Sequence, residues 1–146
     1  MSTPSNPGNP GNPGTTGSVV VAYSADRYGE TAVAHAAEQA RKEGARLVVV
    51  NATLGSSLVD NRFAHDADIA ALHDRLTAEG LEVVVRHDVV NDVADAVVAA
   101  ADEEQASLIV VGIRHRSPVG KLLLGSVAQK IILTAHCPVL AVKPSS

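Results

Sequence analysis

Apolar residues fall along this chain in two registers. Short runs rich in Val, Leu and Ile, at Val19–Ala22, Leu47–Asn51, Leu81–Arg86, Leu108–Val111 and Val139–Val142, have the length of strands. Between them the apolar positions recur at helical spacing. A helix over Glu30–Glu43, entered from a polar turn at Tyr23–Gly29 and stopped by Gly44, places Val33, Ala36, Ala37 and Ala40 on one face of small side chains that can lie close to a sheet. An irregular segment, Thr53–Arg62, precedes a second helix at about His65–Glu79, stopped by Gly80. The third, Val93–Glu104, shows Val93, Val97 and Ala100 on one side and has Asp92 near its N-terminus, where negative charge is favoured. A fourth helical pattern covers Val127–Ala135, and Pro138 ends it. Strand alternating with helix five times predicts an α/β domain: a parallel sheet, right-handed crossovers and helices on both faces.

Composition narrows this picture. The chain is 46% hydrophobic but only 2% aromatic, with no Trp, so its core must be built from Val, Leu, Ile and Ala, which suits strands buried on both sides. A net charge of −4 argues against a general nucleic-acid or membrane-surface binder. The single cysteine, Cys137, cannot form an internal disulfide, which fits a cytoplasmic protein. No apolar run reaches membrane-spanning length, and the N-terminus lacks the basic and apolar regions of a signal peptide. Residues 1–17 carry three Asn-Pro-Gly triplets and no apolar residue after Met1, so they read as a disordered tail on a domain of residues 18–146.

The densest chemistry lies in Gly112–Ser126, GIRHRSPVGKLLLGS, between the fourth strand and the last helix. Gly112, Gly120 and Gly125 allow close backbone approach, and Arg114, His115, Arg116 and Lys121 bring positive or potentially positive charge. Ser126 followed by Gln129 has the spacing of a capping box. The remaining helix amides and the helix dipole suit an anion such as phosphate. The plainer alternative is an ordinary helix cap behind a solvated basic loop. In open parallel sheets ligands bind beyond the carboxyl ends of the strands, where strand order reverses. If the first and fourth strands are neighbours, the turn Tyr23–Asp26 and this loop meet at one crevice.

Over Ser18–Lys143 the chain resembles the universal stress proteins. The family's nucleotide-binding signature is a glycine, two residues, a second glycine, nine residues, then Gly-Ser or Gly-Thr. Gly112, Gly125 and Ser126 fall in register, while His115 stands at the second glycine. The closing segment Ala135-His136-Cys137-Pro138-Val139-Leu140-Ala141-Val142 is similar to the family's usual ending. The resemblance implies strand order 3-2-1-4-5, homodimers pairing through the last strand, Val139–Val142, and, in one branch, ATP or another adenine nucleotide in the crevice, with Mg if a triphosphate. A second branch binds no nucleotide.

Carried over residue by residue, Gly125 and Ser126 would offer backbone amides to phosphate, with Gly112, Arg114 and His115 beside them. Arg116 and Lys121 add cations, Arg in bidentate fashion. Ala52 and Val127 would give apolar contact to the adenine or sugar. The aspartate that usually follows the first strand is replaced by Ser24, and the nearest carboxylate is Asp26. The expected function is a nucleotide-binding sensor or regulator, not an enzyme. The alternatives are a nucleotide-free dimeric interaction module and a low-activity ATPase.

Other motifs fall away. Gly120-Lys121 is not a P-loop, since His115 stands five residues before Gly120 and Leu122 replaces the Ser or Thr. His65 and Asp68 are spaced as helix neighbours and His73 follows eight residues after His65, but they read as solvated helix positions and not as a metal site. No GxSxG elbow is present, and Cys137 reads as a buried, inert thiol.

Overall fold

A computed structural model describes residues 17–54, 66–113, 115–116, 122–123 and 125–144. Its elements are β1 (Ser18–Ala22), α1 (Arg27–Glu43), β2 (Arg46–Leu54), α2 (Asp66–Ala78), β3 (Val83–Val90), α3 (Val93–Glu103), β4 (Ala106–Gly112), β5 (His115–Arg116), β6 (Leu122–Leu123), α4 (Ser126–Thr134) and β7 (Val139–Val142). Five strands form one parallel sheet in the order β3-β2-β1-β4-β7, and β5 and β6 form a separate antiparallel ribbon. Counting main-sheet strands alone, the order is 3-2-1-4-5.

The unalternated apolar runs follow from burial on both sides. Val19, Val21, Leu47, Val49 and Val110 face one core, closed by Val33, Ala36, Ala37 and Ala40 of α1 and Ile69, Leu72 and Leu76 of α2. Val20, Val48, Val50, Ile109 and Val111 face a second core under Val97 and Ala100 of α3 and Ala128 and Ile131 of α4. Each large side chain sealed in this way contributes about 1.5–3 kcal/mol. The alanines of α1 let its axis approach the sheet. Closer still, a Cβ on Gly112 would lie 2.8 Å from the Tyr28 carbonyl oxygen, so the first turn of α1 sits directly against the end of β4.

Several boundaries differ from the sequence reading, each for a local reason. The first helix starts at Arg27, three residues early, because Asp26 caps it: its Oδ1 accepts the Gly29 amide at 2.9 Å. Tyr23, assigned to a polar turn, is only 9% exposed and joins the core under α1 and α2. The third strand is shifted to Val83–Val90, with Leu81 plugging the core from the preceding turn. It pairs with β2 alone, so His87 and Asp88 continue the ladder without any need to be apolar. Gly44 stops α1 as expected, in the left-handed conformation at φ 63°. Asp92 caps α3, accepting the Asp95 amide at 2.9 Å. The Asn-Pro-Gly tail through residue 16 and most of the irregular segment after β2 lie outside the described residues. Among the described residues, no helix is long and apolar enough to cross a membrane.

Candidate functional site

β1 lies between β2 and β4, and the chain moves outward in opposite directions from it, so the β1–β4 boundary is the point at which strand order reverses. Ala22 is in register with Val111, which brings the turn after β1 and the segment after β4 to the same carboxyl edge. Beyond Gly112 the chain stays anchored for one more residue, the Ile113 amide donating to the Val142 carbonyl at 2.6 Å. Ala52 sits further along β2 at the same edge, half-buried against the α3–α4 core.

The turn after β1 is tightly specified. Its Tyr23 amide donates to Val50, and its Tyr23 carbonyl accepts Nδ2 of Asn51, which is 1% exposed, at 2.9 Å. Asn51 thus pins the turn to β2 from inside the fold. Ser24 Oγ donates to Asp26 Oδ1 at 2.8 Å, and a Cβ on Gly29 would come within 1.7 Å of the Ser24 carbonyl oxygen. Only glycine fits there. Asp26 is therefore a helix cap whose carboxylate already bonds Ser24 and Gly29, which gives it a structural role of its own.

Across the crevice, α4 begins at Ser126, not after it. Gly125 is the N-cap, with φ −66° and ψ 160°, and among the described residues no side chain caps the helix. The capping box expected of Ser126 and Gln129 does not form: Ser126 is already the first helical residue, and the Gln129 amide donates to the Gly125 carbonyl at 2.9 Å. This leaves the opening amides of α4 clear of a capping side chain, the arrangement an anionic group needs. Ser126 is exposed and Val127 is 37% exposed beside it. His115 and Arg116 form β5, opposite Leu123 and Leu122 of β6, while Arg114 and Lys121 lie outside the described residues. By topology Ser24, Asp26, Ala52, Gly112, Gly125, Ser126 and Val127 all belong to segments at the carboxyl edge of the sheet.

Asn51, Gly29 and Tyr23 carry the turn, and the sequence pattern does not single them out. A lone Asn closing the apolar run Leu47–Val50 was the available signal for the first. For Gly29 and Tyr23 the reason lies in tertiary contacts alone. Near the other end of the chain Cys137 is half-buried, and burial together with Asp102 raises its thiol pKa, which disfavours the reactive thiolate.

Fold and crevice together define a doubly wound α/β domain with a crevice at its switch point. The universal stress protein family model matches residues 16–143, and the chain belongs to that family. A universal stress protein of Mycolicibacterium smegmatis is 46% identical over 126 residues, 86% of this chain and 97% of that protein. Among solved structures, a universal stress protein from Archaeoglobus fulgidus in complex with dAMP superposes with a TM-score of 0.64 at 31% identity, over 88% of this chain and 98% of that one. Another universal stress protein, solved in complex with cAMP, gives a TM-score of 0.68 at 29% identity, over 90% of this chain and 99% of that one.

Proposed function

We propose that this chain is a regulatory protein that binds an adenine nucleotide, ATP among the candidates, in the crevice between the β1–α1 turn and the start of α4. The observation that carries the reading is the glycine-capped N-terminus of α4, without a capping side chain among the described residues, at the same carboxyl edge of the sheet as Ser24. The relatives solved with dAMP and cAMP support an adenine nucleotide as the ligand class.

In this reading the α4 amides at Gly125–Val127 take phosphate, with Arg114, His115, Arg116 and Lys121 of the basic loop adding charge. Ala52 and Val127 bracket the base or sugar, and Ser24 reaches the ribose by turning its hydroxyl away from Asp26. Gly112 keeps its place for α1 rather than for phosphate, since Tyr28 occupies the space a side chain would need. Mg would accompany a triphosphate through the phosphate oxygens. Binding would order the loop and change the surface presented to a partner, a population shift with no chemical step required.

A homodimer through β7 belongs to the same reading and stands equally well without nucleotide. β7 is an edge strand carrying Leu140 at 40% exposure, and the preceding helix α4 exposes Ile132 and Leu133 at 41% and 75%. Exposed apolar residues of this kind suit association with a second copy, and the protein proposed here is a cytoplasmic regulator working as that assembly.

The test is to denature freshly purified protein, identify released small molecules by liquid chromatography and mass spectrometry, and titrate the stripped protein with AMP, cAMP and ATP calorimetrically. Released or saturably bound adenine nucleotide, with slowed hydrogen exchange in residues 112–126, is the expected result. No release and no heat would leave the dimeric interaction module as the function. Metal-dependent ATP turnover lost on changing His115 would instead establish an ATPase.

A further inference from the structure

β1 leaves the sheet at Ala22, while its neighbour β2 runs on to Leu54. The ladder between them reaches the pair Ala22 and Val50, and one more backbone bond follows it, from the Tyr23 amide to the Val50 carbonyl at 2.8 Å. A side chain takes the next acceptor: Asn51 Nδ2 donates to the Tyr23 carbonyl at 2.9 Å. Asn51 is 1% exposed, an amide at the end of a run of buried Leu and Val. Burying an amide is costly unless it is hydrogen-bonded, and no apolar side chain in its place could make this bond.

The bond ties together two segments of the crevice. Ser24 directly follows Tyr23, and Ala52 directly follows Asn51. Side chains alternate along β2, so Asn51 turns toward the α1–α2 core with Leu47 and Val49, whereas Ala52 packs against the α3–α4 core. From α1, Gly29 closes on the same turn, where a Cβ would stand 2.5 Å from the Ser24 nitrogen. Ser24 is thus held from β2 through Asn51 and from α1 through Gly29.

We propose that Asn51 is the positioning residue for the nucleoside half of the crevice: its bond to the Tyr23 carbonyl fixes where Ser24 stands relative to Ala52, and so sets how strongly the site selects for the ribose hydroxyls. The inference rests on the proposed nucleotide binding, in which Ser24 reaches the ribose and Ala52 meets the base or sugar. Asn51 is buried and does not itself touch the ligand. A binding group must be held to within about 0.5 Å of its productive place, so loosening the turn costs the ribose contact first. Phosphate is taken at the other end, by α4, which Lys130 and Asp92 brace against α3 at 2.8 Å. Loss of Asn51 therefore changes selectivity for the sugar and not affinity for the nucleotide as a whole.

The experiment titrates AMP and dideoxy-AMP, which lacks both ribose hydroxyls, into the full chain by calorimetry. The same titrations are made with Asn51→Leu, Asn51→Thr, Ser24→Ala and a chain carrying both Asn51→Leu and Ser24→Ala. The parent should favour AMP about three- to tenfold, the worth of one hydrogen bond. Asn51→Leu has no donor, and the hydroxyl of Asn51→Thr is one bond too short to reach Tyr23. Each should bring the preference below about twofold, as should Ser24→Ala, with nothing further lost when Asn51→Leu and Ser24→Ala are combined. A residue that served the fold alone would lower both affinities together and leave their ratio unchanged. An unchanged ratio in the Asn51 variants, a parent without preference, or additive losses from Asn51 and Ser24 would each overturn the inference while nucleotide binding stands. A parent that binds neither compound removes the nucleotide reading, and the inference with it. Threonine is at home in strands, so Asn51→Thr keeps the test open if Asn51→Leu fails to fold, which circular dichroism checks.

Discussion

Gly29 admits no side chain, because its missing Cβ would stand 1.7 Å from the Ser24 carbonyl oxygen. Gly29→Ala must therefore push apart the turn and the first turn of α1, and a loss of about 3 kcal/mol is expected in urea unfolding. Tyr23 makes a subtler demand. Its phenol, near 10 in the unfolded chain and about 12 in the fold, holds its proton longer when folded. Between those values the unfolded state has already released a proton that the folded state keeps, so stability is full below pH 10 and falls as pH rises toward 12. Allowing for solvent screening, the loss should be about 1–2 kcal/mol. Comparing urea unfolding of Tyr23→Phe with the parent between neutral and alkaline pH isolates it, since the variant should lack this component.

At the scale of elements, the sequence carried the fold because both sheet faces are covered. Val19–Val21 and Leu47–Val50 needed no alternation, and that made their strand character legible. β3 was harder to delimit, since an edge strand bonded to β2 alone tolerates Arg86, His87 and Asp88 where a central strand would not. In the candidate site, spacing picks out positions where the backbone is specified, Gly112 against Tyr28 and Gly125 as the cap of α4, and misses those specified by long-range contact. Asn51 and Gly29 act through residues distant in sequence or across a turn. The capping box failed for a simpler reason: one residue of shift puts Ser126 inside the helix and hands the cap to Gly125. β7 gives this scale its prediction. If its free edge pairs two copies, Leu133→Lys and Leu140→Lys should each shift the molecule toward monomer in analytical ultracentrifugation. Unchanged helix content by circular dichroism would show that the fold survives. A monomeric parent protein would sink the idea.

For the whole molecule, ligand and stability are linked. A nucleotide bound only by the folded chain stabilises it by about 2.7 kcal/mol at a free concentration one hundredfold above its dissociation constant. For a domain of this size that is an upward shift of very roughly 5–10 °C in Tm, readable by scanning calorimetry. Charge-reversing Arg114 or Lys121 should diminish the shift at fixed ligand concentration without lowering the Tm of the free protein. Asp92 and Lys130 tie α3 to α4 at 2.8 Å, so the α4 end of the crevice is braced against its neighbour while the β1 end is braced by Asn51. The Lys130 ammonium, with the Asp95 amide, holds the Asp92 carboxyl below its ordinary range. That contribution is present above the ordinary carboxyl range and fades as pH drops through the depressed value.

The parallel sheet also gives the molecule a polarity that an experimenter can exploit. Ser18 enters β1 at the end remote from the crevice, whereas Val142 leaves β7 beside Gly112 and is bonded to Ile113. Five residues of extended chain, about 16 Å, separate the entry of β1 from the ligand edge. A fluorophore, affinity handle or fused domain joined ahead of Ser18 attaches at the end away from the cleft. The same cargo joined after Lys143 attaches on the cleft side. Of the two attachment points, the C-terminal one is the place for a reporter of occupancy, and the N-terminal one is the place to fasten the protein to a surface.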